Sequence, residues 1–317
     1  MPPKKTIQEL TALYKRESSV IDIFTEGPTD KAIIKWFLDE SNVKNVNIYD
    51  ISTVEIPREI IEKHEIQLEN DCDNEDDKIE IEIRNNRKKL ITLSLELELE
   101  YKLSNDCIRC IADSDTDIVC NSTRKSRYLL YTDYSCMEMY FFDIAVMKKL
   151  FDLFLLEFKF KPVFVLDQLR NVLQELFVIR IVNEHHQWRM TKLRAKKMHE
   201  CLQCNCDGKI HFDVDQFINK YLCKNKKHSK KSCFCNDIEK KRNLLTDECR
   251  NQMNGHDFIG LLNWYMKENK DGYKKDKTSD KSLYKAMFLS LNDSFLIKEQ
   301  LFKNILTFAA NNNSRIK

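Results

Sequence analysis

VIDIFTEGPTD, at residues 20–30, is the stretch whose pattern most directly predicts a fold. Its first half is apolar and rich in β-branched residues, which predicts a strand over about 20–25. Pro28 then opens a helical pattern that continues to Leu38, and Glu26-Gly27 lies in the turn between the two elements. In open α/β sheets, binding sites form outside the carboxyl ends of the strands. We therefore expect the Glu26 carboxylate to lie at such a site.

A second strand followed by acids occurs at CIRCIADSDTD, residues 107–117. The pattern predicts a strand over about 107–112, after which come Asp113, Asp115 and Asp117. Magnesium, or manganese in its place, takes oxygen ligands, usually one or two carboxylates together with substrate phosphates and water. A divalent-metal site built from Glu26, Asp113 and Asp115 is the sharper interpretation. The alternative for the acids after residue 112 is a solvated turn with side-chain caps.

The remaining patterns predict an α/β first half and a helical second half. A helix is expected over about 6–17 and strands at Val46–Ile51 and Arg127–Asp133. Residues 79–83 and 95–99 alternate with period two, yet a parallel sheet needs a crossover helix, so about 84–103 is predicted to be helical. Further helices are expected over about 136–156, 162–183, 187–200, 213–222, 236–251, 256–268, 281–291 and 295–310.

These patterns predict two domains. Residues 1–158 are expected to form the α/β domain, with an acidic insertion at about 65–85, and residues 159–317 a helical domain rich in Cys and Lys. The role of the segment 55–105 is left open by the sequence.

Charge is segregated along the chain, although the net charge is only +2. Residues 186–245 carry 15 Lys and Arg against 6 Asp and Glu. A basic segment beside an acidic metal site suits a polyanionic substrate. Candidate contacts to a nucleic-acid backbone are Lys192, Arg194, Lys196 and Lys197. A solvated helical face is the alternative for any one of these side chains.

Several classes of protein are excluded or disfavoured by simple counts. The five glycines allow neither a P-loop nor a dinucleotide-binding fingerprint, so any ATPase work would come from a partner. No uncharged apolar run reaches membrane-spanning length and no signal-peptide core follows the first residue. We therefore expect a cytoplasmic protein whose 12 cysteines are reduced thiols.

The cysteines of the second half nevertheless allow a structural zinc site. Cys201, Cys204 and Cys206 are closely spaced and Cys223 follows them. Clustered thiolates suit tetrahedral Zn²⁺. The clean second C-x-x-C pair of a zinc module is lacking, so reduced thiols in a loop-rich region remain the alternative.

The strand-Glu26-Gly27 turn and the later Asp113-Ser114-Asp115 resemble the Toprim domain, which topoisomerases, bacterial primases and OLD-type nucleases share. The resemblance covers roughly residues 18–145 and implies a Rossmann-like, mostly parallel sheet. Asp30, four residues after Glu26, makes the pattern most similar to the OLD-like branch and could join the metal site. Its alternative role is to complement the positive end of a helix.

The segment Thr132–Glu138 extends the resemblance to a stand-alone Toprim family with a helical C-terminal half. This family includes AriB, the effector of the PARIS anti-phage defence system. Glu138 resembles an additional acid of that family, for a second ion. The alternative is a capping box, because Ser135-x-x-Glu138 also matches that motif.

The resemblance implies a Mg²⁺-dependent nuclease that acts as a toxin by cutting host tRNA. It also implies an ABC-type ATPase partner similar to AriA and a homodimer as the active form. Two rival functions stay open: an OLD-type DNA nuclease, and a non-catalytic regulatory subunit of an ATPase complex.

The residue roles follow from the same resemblance. Glu26 would be the general base or acid close to the metal, and Asp113 and Asp115 would be metal ligands. Asp117, Glu138 and Asp30 would be additional metal ligands. His256 begins a predicted helix beside Asp257 and could contact a phosphate. The alternative for His256 is an ordinary helix N-terminal turn.

Overall fold

The structure is a computed structural model that describes residues 4–17, 19–64, 75–155, 158–186, 188, 190, 193, 198–269 and 279–313, with side chains of 75–84 and 313 excepted. The chain divides into two compact units. The first consists of Met1–Ser114, Thr123–Asp133 and Asp293–Lys317, and the second of Asp115–Ser122 and Tyr134–Asn292. Each unit is described by itself. The domain boundary predicted at 158/159 stays a prediction.

A four-stranded parallel sheet forms the centre of the first unit. Its strands are β2 (Asp22–Thr25), β3 (Asn47–Asp50), β5 (Ile108–Ala112) and β6 (Leu129–Tyr131), in the order β3-β2-β5-β6. All three pairings are parallel, and Thr25 lies opposite Asp50 on one side and Ile111 on the other. The predicted α/β architecture of the N-terminal part is therefore confirmed, and each predicted strand is present with shorter bounds.

The described part of the first unit also contains α-helices. They are α1 (Ile7–Arg16), α2 (Pro28–Glu40), α3 (Arg58–Lys63), α4 (Glu75–Leu99) and two later helices, Asp293–Leu296 and Gln300–Asn313. Strands β1 (Lys5–Thr6) and β4 (Val54–Glu55) form a separate two-stranded parallel sheet. A short 3₁₀ helix, Ile51–Thr53, precedes β4. Thr6 and Glu9 close a capping box at the start of α1.

The ambiguous region before β5 is helical, as predicted. Leu90, Leu93 and Leu97 of α4 are fully buried, whereas Leu99 is 56% exposed. The three buried positions follow helical spacing and pack in the core beside β5. Burial of this helical stripe against the sheet outweighs the local period-two alternation.

The second unit is largely helical. It contains α5 (Asp117–Cys120), α6 (Ile144–Leu150), α7 (Pro162–His186) and the helices Val214–Lys224, Lys231–Arg242, Gly255–Glu268 and Asp280–Ser290. Short 3₁₀ helices occur at Met137–Phe141, His199–Cys201, His228–Lys230 and Cys249–Gln252, and Phe151–Leu155 is a π-helical turn. An antiparallel hairpin joins β7 (Leu202–Cys204) to β8 (Ile210–Phe212).

Several details of the second half differ from the sequence prediction. The helix predicted over 295–310 is divided into Asp293–Leu296 and Gln300–Asn313. The helix predicted over 136–156 is divided, because the Asp143 side chain accepts the N–H groups of Ala145 and Val146 and starts a new helix. The helix predicted over 236–251 begins earlier, at Lys231, and ends at Arg242. The β7–β8 hairpin was not predicted. Most of the helix predicted over 187–200 lies outside the described residues.

None of the helices in the described ranges is long and apolar enough to cross a membrane.

Gly208, in the loop of the β7–β8 hairpin, has a φ of +76°, and the Tyr265 hydroxyl donates a hydrogen bond to its carbonyl oxygen at 2.9 Å. A Cβ at this position would overlap the Phe160 ring and lie 2.7 Å from the Tyr265 oxygen. We expect Gly208→Ala to lower the free energy of unfolding by about 1–3 kcal/mol, measured by urea denaturation.

Gly27→Ala is the control for that substitution. The Cβ of a residue at 27 would meet only Asp30 Oδ2, at 4.0 Å, and the backbone there is extended, with φ −149°. Its unfolding free energy should stay within about 0.5 kcal/mol of the unsubstituted chain. Equal losses in the two variants would contradict the steric argument.

Candidate active site

The strand order places a topological switch point between β2 and β5. From β2 the chain moves to β3 on one side, and then returns to β5 on the other side of β2. Ligands of open parallel sheets bind where the strand order reverses, outside the carboxyl ends. Glu26 directly follows β2 and Asp113 directly follows β5. Two of the predicted acids of the first unit, Glu26 and Asp113, thus follow the two strands that flank the switch point.

Glu26 and Asp113 are held together by a hydrogen bond. The Asp113 backbone N–H donates to Glu26 Oε1 at 2.7 Å, and Glu26 is only 5% exposed. A buried carboxylate needs such partners, because desolvation disfavours its charged form. The bond therefore fixes the direction of the Glu26 side chain at the end of the two strands.

Two residues of α4 that the sequence analysis did not single out hold the backbone of this edge. Asn86 Nδ2 donates to the Glu26 carbonyl oxygen at 3.0 Å, and Arg87 Nε donates to the Asp113 carbonyl oxygen at 2.7 Å. The polar Asn85-Asn86-Arg87 interruption before the leucine-rich end of α4 is the signal that could have indicated them.

Asp30 lies in the first turn of α2, as predicted. Its Oδ2 accepts the Gly27 N–H at 3.2 Å, so the side chain turns back toward the residue that follows Glu26. This contact matches the helix-terminal role that we considered as the alternative. Its role as a metal ligand stays a prediction.

Thr132 and Asp133 have structural contacts in the first unit. Thr132 Oγ1 accepts the Ser114 N–H at 3.1 Å, which ties the loop after β5 to the end of β6. The Asp133 carboxylate accepts the Leu301 N–H, at 3.0 and 3.2 Å, near the start of the helix Gln300–Asn313.

Asp115 and Asp117 belong to the second unit. Asp115 has a left-handed backbone with φ +44°, and its N–H donates to the Ser135 carbonyl oxygen at 2.7 Å. Asp117 lies in the first turn of α5, where its side chain accepts the Ser122 hydroxyl at 2.7 Å. The prediction that both are metal ligands stays a prediction.

Glu138 is not part of a capping box, so that alternative is wrong. The 3₁₀ helix Met137–Phe141 has Cys136 at its N-cap without a side-chain cap, and the Ser135 hydroxyl donates instead to the Met253 carbonyl oxygen. Glu138 packs against Gly255, since a Cβ added there would lie 2.7 Å from the Glu138 Cβ. The role of Glu138 as a metal ligand stays a prediction.

The structure describes only one of the predicted substrate contacts. His256 is exposed in the first turn of the helix Gly255–Glu268, and Asn254 Oδ1 accepts the Asp257 N–H at 3.2 Å. The ordinary N-terminal turn that we considered for this segment is therefore confirmed. Lys192, Arg194, Lys196 and Lys197 lie outside the described residues.

The four candidate zinc thiols differ in exposure. Cys201 is buried, Cys204 is half-buried, and Cys206 and Cys223 are exposed. Cys204 Sγ accepts a hydrogen bond from Asn269 Nδ2 at 3.1 Å, and burial raises the pKa of the Cys201 and Cys204 thiols. A raised pKa favours the neutral thiol over the thiolate that binds metal. The zinc prediction at these cysteines stays a prediction.

Comparison with protein-family models and with curated proteins found no match. A functional proposal therefore depends on the geometry at the sheet edge and on the motifs of the sequence.

Proposed function

We propose that this chain is a Mg²⁺-dependent phosphodiesterase of the Toprim class. The observation that carries the proposal is the hydrogen bond between Glu26 and Asp113 at the ends of β2 and β5. A buried carboxylate at a switch point is in the place where parallel sheets bind ligands. A glutamate after one central strand and an Asp-x-Asp after its neighbour is also the arrangement that the Toprim resemblance implies.

The chemistry of the candidate ligands fits a hard cation. Glu26, Asp113 and Asp115 would hold Mg²⁺ or Mn²⁺, with Asp117, Glu138 and Asp30 in support, and all of them offer oxygen atoms. Asn86 Nδ2 donates a hydrogen bond to the Glu26 carbonyl oxygen. The Oδ1 atom of the same side chain is buried and has no hydrogen-bond partner among the described residues. A bound ion would supply charge neutralisation at a phosphate and lower the pKa of water.

Glu26 would take the role of general base or acid in phosphodiester hydrolysis. Its burial places the carboxylate where electrostatic interactions are strong, and the Asp113 N–H limits its rotation. Fixed orientation is what a proton-transfer group needs, because misplacement by about 1 Å costs on the order of 10²-fold in rate.

Host tRNA is the favoured substrate, and the favoured role is that of a toxin effector in an anti-phage system of the PARIS kind. Support comes from the basic segment 186–245. In its described part, Lys224, Lys226 and Lys230 are exposed around the short helix His228–Lys230. Such cations bind phosphates without selecting a sequence. An ABC-type ATPase partner and a homodimeric active form are part of the same proposal.

Expression of the chain in bacteria, with and without a co-expressed ABC-type ATPase, tests the proposal. Small RNA and chromosomal DNA from the same cells are separated on gels. We expect discrete tRNA fragments and intact DNA. Broken DNA with intact tRNA would favour the OLD-type DNA nuclease instead. If both nucleic acids stay intact under both conditions, and the purified chain with Mg²⁺ cuts neither, the regulatory-subunit function replaces the nuclease.

A further inference from the structure

We propose that His186, Cys233 and Asp237 of the second unit form a binding site for one Zn²⁺ ion. One ligand atom from each residue lies within 4.8 Å of the other two. Imidazole, thiolate and carboxylate are the three ligand types that zinc uses in proteins. The site is separate from the acids of the sheet edge and from the cysteines Cys201–Cys223, and it does not depend on the proposed nuclease activity.

Two packed helices supply the ligands. His186 is the last residue of α7, and Cys233 and Asp237 lie four positions apart on the helix Lys231–Arg242. Residues four apart share one face of a helix, so the thiol and the carboxylate point in a common direction. Because α7 packs against this helix, an ion held here would connect the end of α7 to its neighbour.

Two of the three ligand separations can be compared with those of a tetrahedral zinc site. Zinc bonds of about 2.0–2.2 Å to nitrogen and oxygen and about 2.3 Å to sulfur imply ligand separations of roughly 3.3–3.7 Å. Cys233 Sγ lies 3.7 Å from Asp237 Oδ2, which meets that requirement. His186 Nε2 lies 2.8 Å from the same oxygen, so these two atoms would separate by roughly 0.5 Å around an ion.

His186 Nε2 is buried and lies 2.8 Å from Asp237 Oδ2, so the imidazole and the carboxylate already face each other. An ion between them would replace this direct contact and bond to both groups. The imidazole is also held in place, because it stacks on the Trp188 ring at 4.0 Å and 18°.

The surroundings favour a mononuclear zinc site with one position left for water. A thiolate ligand selects zinc over the hard ions magnesium and calcium. Cys233 is exposed, so solvent can supply a fourth ligand. Lys240 Nζ contacts the other carboxylate oxygen of Asp237 at 2.9 Å and stabilises the ionised form that binds metal. The alternative is that His186 and Asp237 form an ion pair beside the Cys233 thiol and that no metal ion binds there.

Thiol alkylation of the unsubstituted full-length chain tests the site without any mutation. The reduced, metal-free protein is treated with a limiting alkylating reagent, with or without one equivalent of Zn²⁺, and each cysteine is quantified by mass spectrometry. We expect Zn²⁺ to slow alkylation of Cys233 by about tenfold or more, since a metal-bound thiolate is a poor nucleophile. Cys120, which is also an exposed thiol and belongs to neither candidate zinc site, is the internal control and should change less than about twofold.

Variants then identify the ligands. Zinc affinity is measured by competition with a chromophoric chelator, and Co²⁺ is used as a second probe through its thiolate charge-transfer absorption. Cys233→Ser, His186→Ala and Asp237→Asn should each lower the zinc affinity by about tenfold or more, whereas Cys120→Ser should not. Protection of Cys201, Cys204 or Cys206 instead of Cys233 would overturn the proposal, as would absence of any Zn²⁺ binding by the unsubstituted chain.

Discussion

Glu26→Gln should remove the proposed nuclease activity while leaving the fold intact. The carbonyl oxygen of Gln can still accept the Asp113 N–H, so the buried contact that Glu26 Oε1 makes at 2.7 Å is conserved. The negative charge is lost, however, and with it the proposed proton-transfer group and one anionic ligand of the proposed metal site. We expect the rate of phosphodiester hydrolysis to fall by about 10²–10⁴-fold or more. The measurement is single-turnover cleavage of the substrate identified on the gels, at saturating Mg²⁺.

Glu40→Gln is the matched control, because it makes the same chemical change at an exposed position at the far end of α2. Its rate should stay within about twofold of the unsubstituted chain. Thermal unfolding of both variants separates loss of chemistry from loss of fold. A Glu26→Gln variant that is folded and retains full activity would exclude Glu26 from the chemistry and would remove the main support for the proposed site.

The sheet was predictable from sequence because its two central strands, β2 and β5, lie in short, mostly apolar runs that end at polar turns. Val20–Phe24 and Cys107–Ala112 have no competing helical pattern, and parallel pairing follows from the long connections between them. The Glu26 and Asp113 positions follow directly, since each is the first residue after its strand. The sequence indicates that Glu26 and Asp113 lie close together, but it does not indicate the hydrogen bond between them.

Features that depend on tertiary contacts were not predictable. Asn86 and Arg87 are recognisable in the sequence only as a polar interruption. They reach the strand ends because α4 packs beside β5, and the local sequence does not predict that packing. The Ser135-x-x-Glu138 motif matched a capping box, yet a carbonyl group more than a hundred residues later takes the Ser135 hydroxyl. Local capping preferences are weak compared with burial of a whole segment.

The His186, Cys233 and Asp237 group was missed for a related reason. Cysteines at short spacing are the local signal of a zinc site, whereas this group takes one residue from the end of α7 and two from a later helix. The i, i+4 spacing of Cys233 and Asp237 is a usable signal once the helix Lys231–Arg242 is known. The predicted helix began at residue 236, which left Cys233 outside it.

Arg180→Met should be among the most destabilising substitutions in the second unit. Arg180 in α7 makes a two-pronged ion pair with Asp257, with Nε and Nη2 at 2.8–3.0 Å from the carboxylate oxygens. The side chains are only 11% and 5% exposed. Removing the guanidinium would leave a buried carboxylate without its counter-charge, which costs about 3–5 kcal/mol of unfolding free energy. Urea denaturation followed by circular dichroism measures the loss.

The double variant Arg180→Met/Asp257→Leu distinguishes the effect of an unpaired charge from the value of the pair itself. Because a buried ion pair is expensive to desolvate, the double variant should lose less stability than Arg180→Met alone. Lys148→Met is the surface control, since the Lys148–Asp152 pair is 68% and 55% exposed and should contribute no more than about 1 kcal/mol. A loss for Arg180→Met as small as that of Lys148→Met would mean that water enters around Asp257. The ion pair would then not hold α7 to the start of the helix Gly255–Glu268.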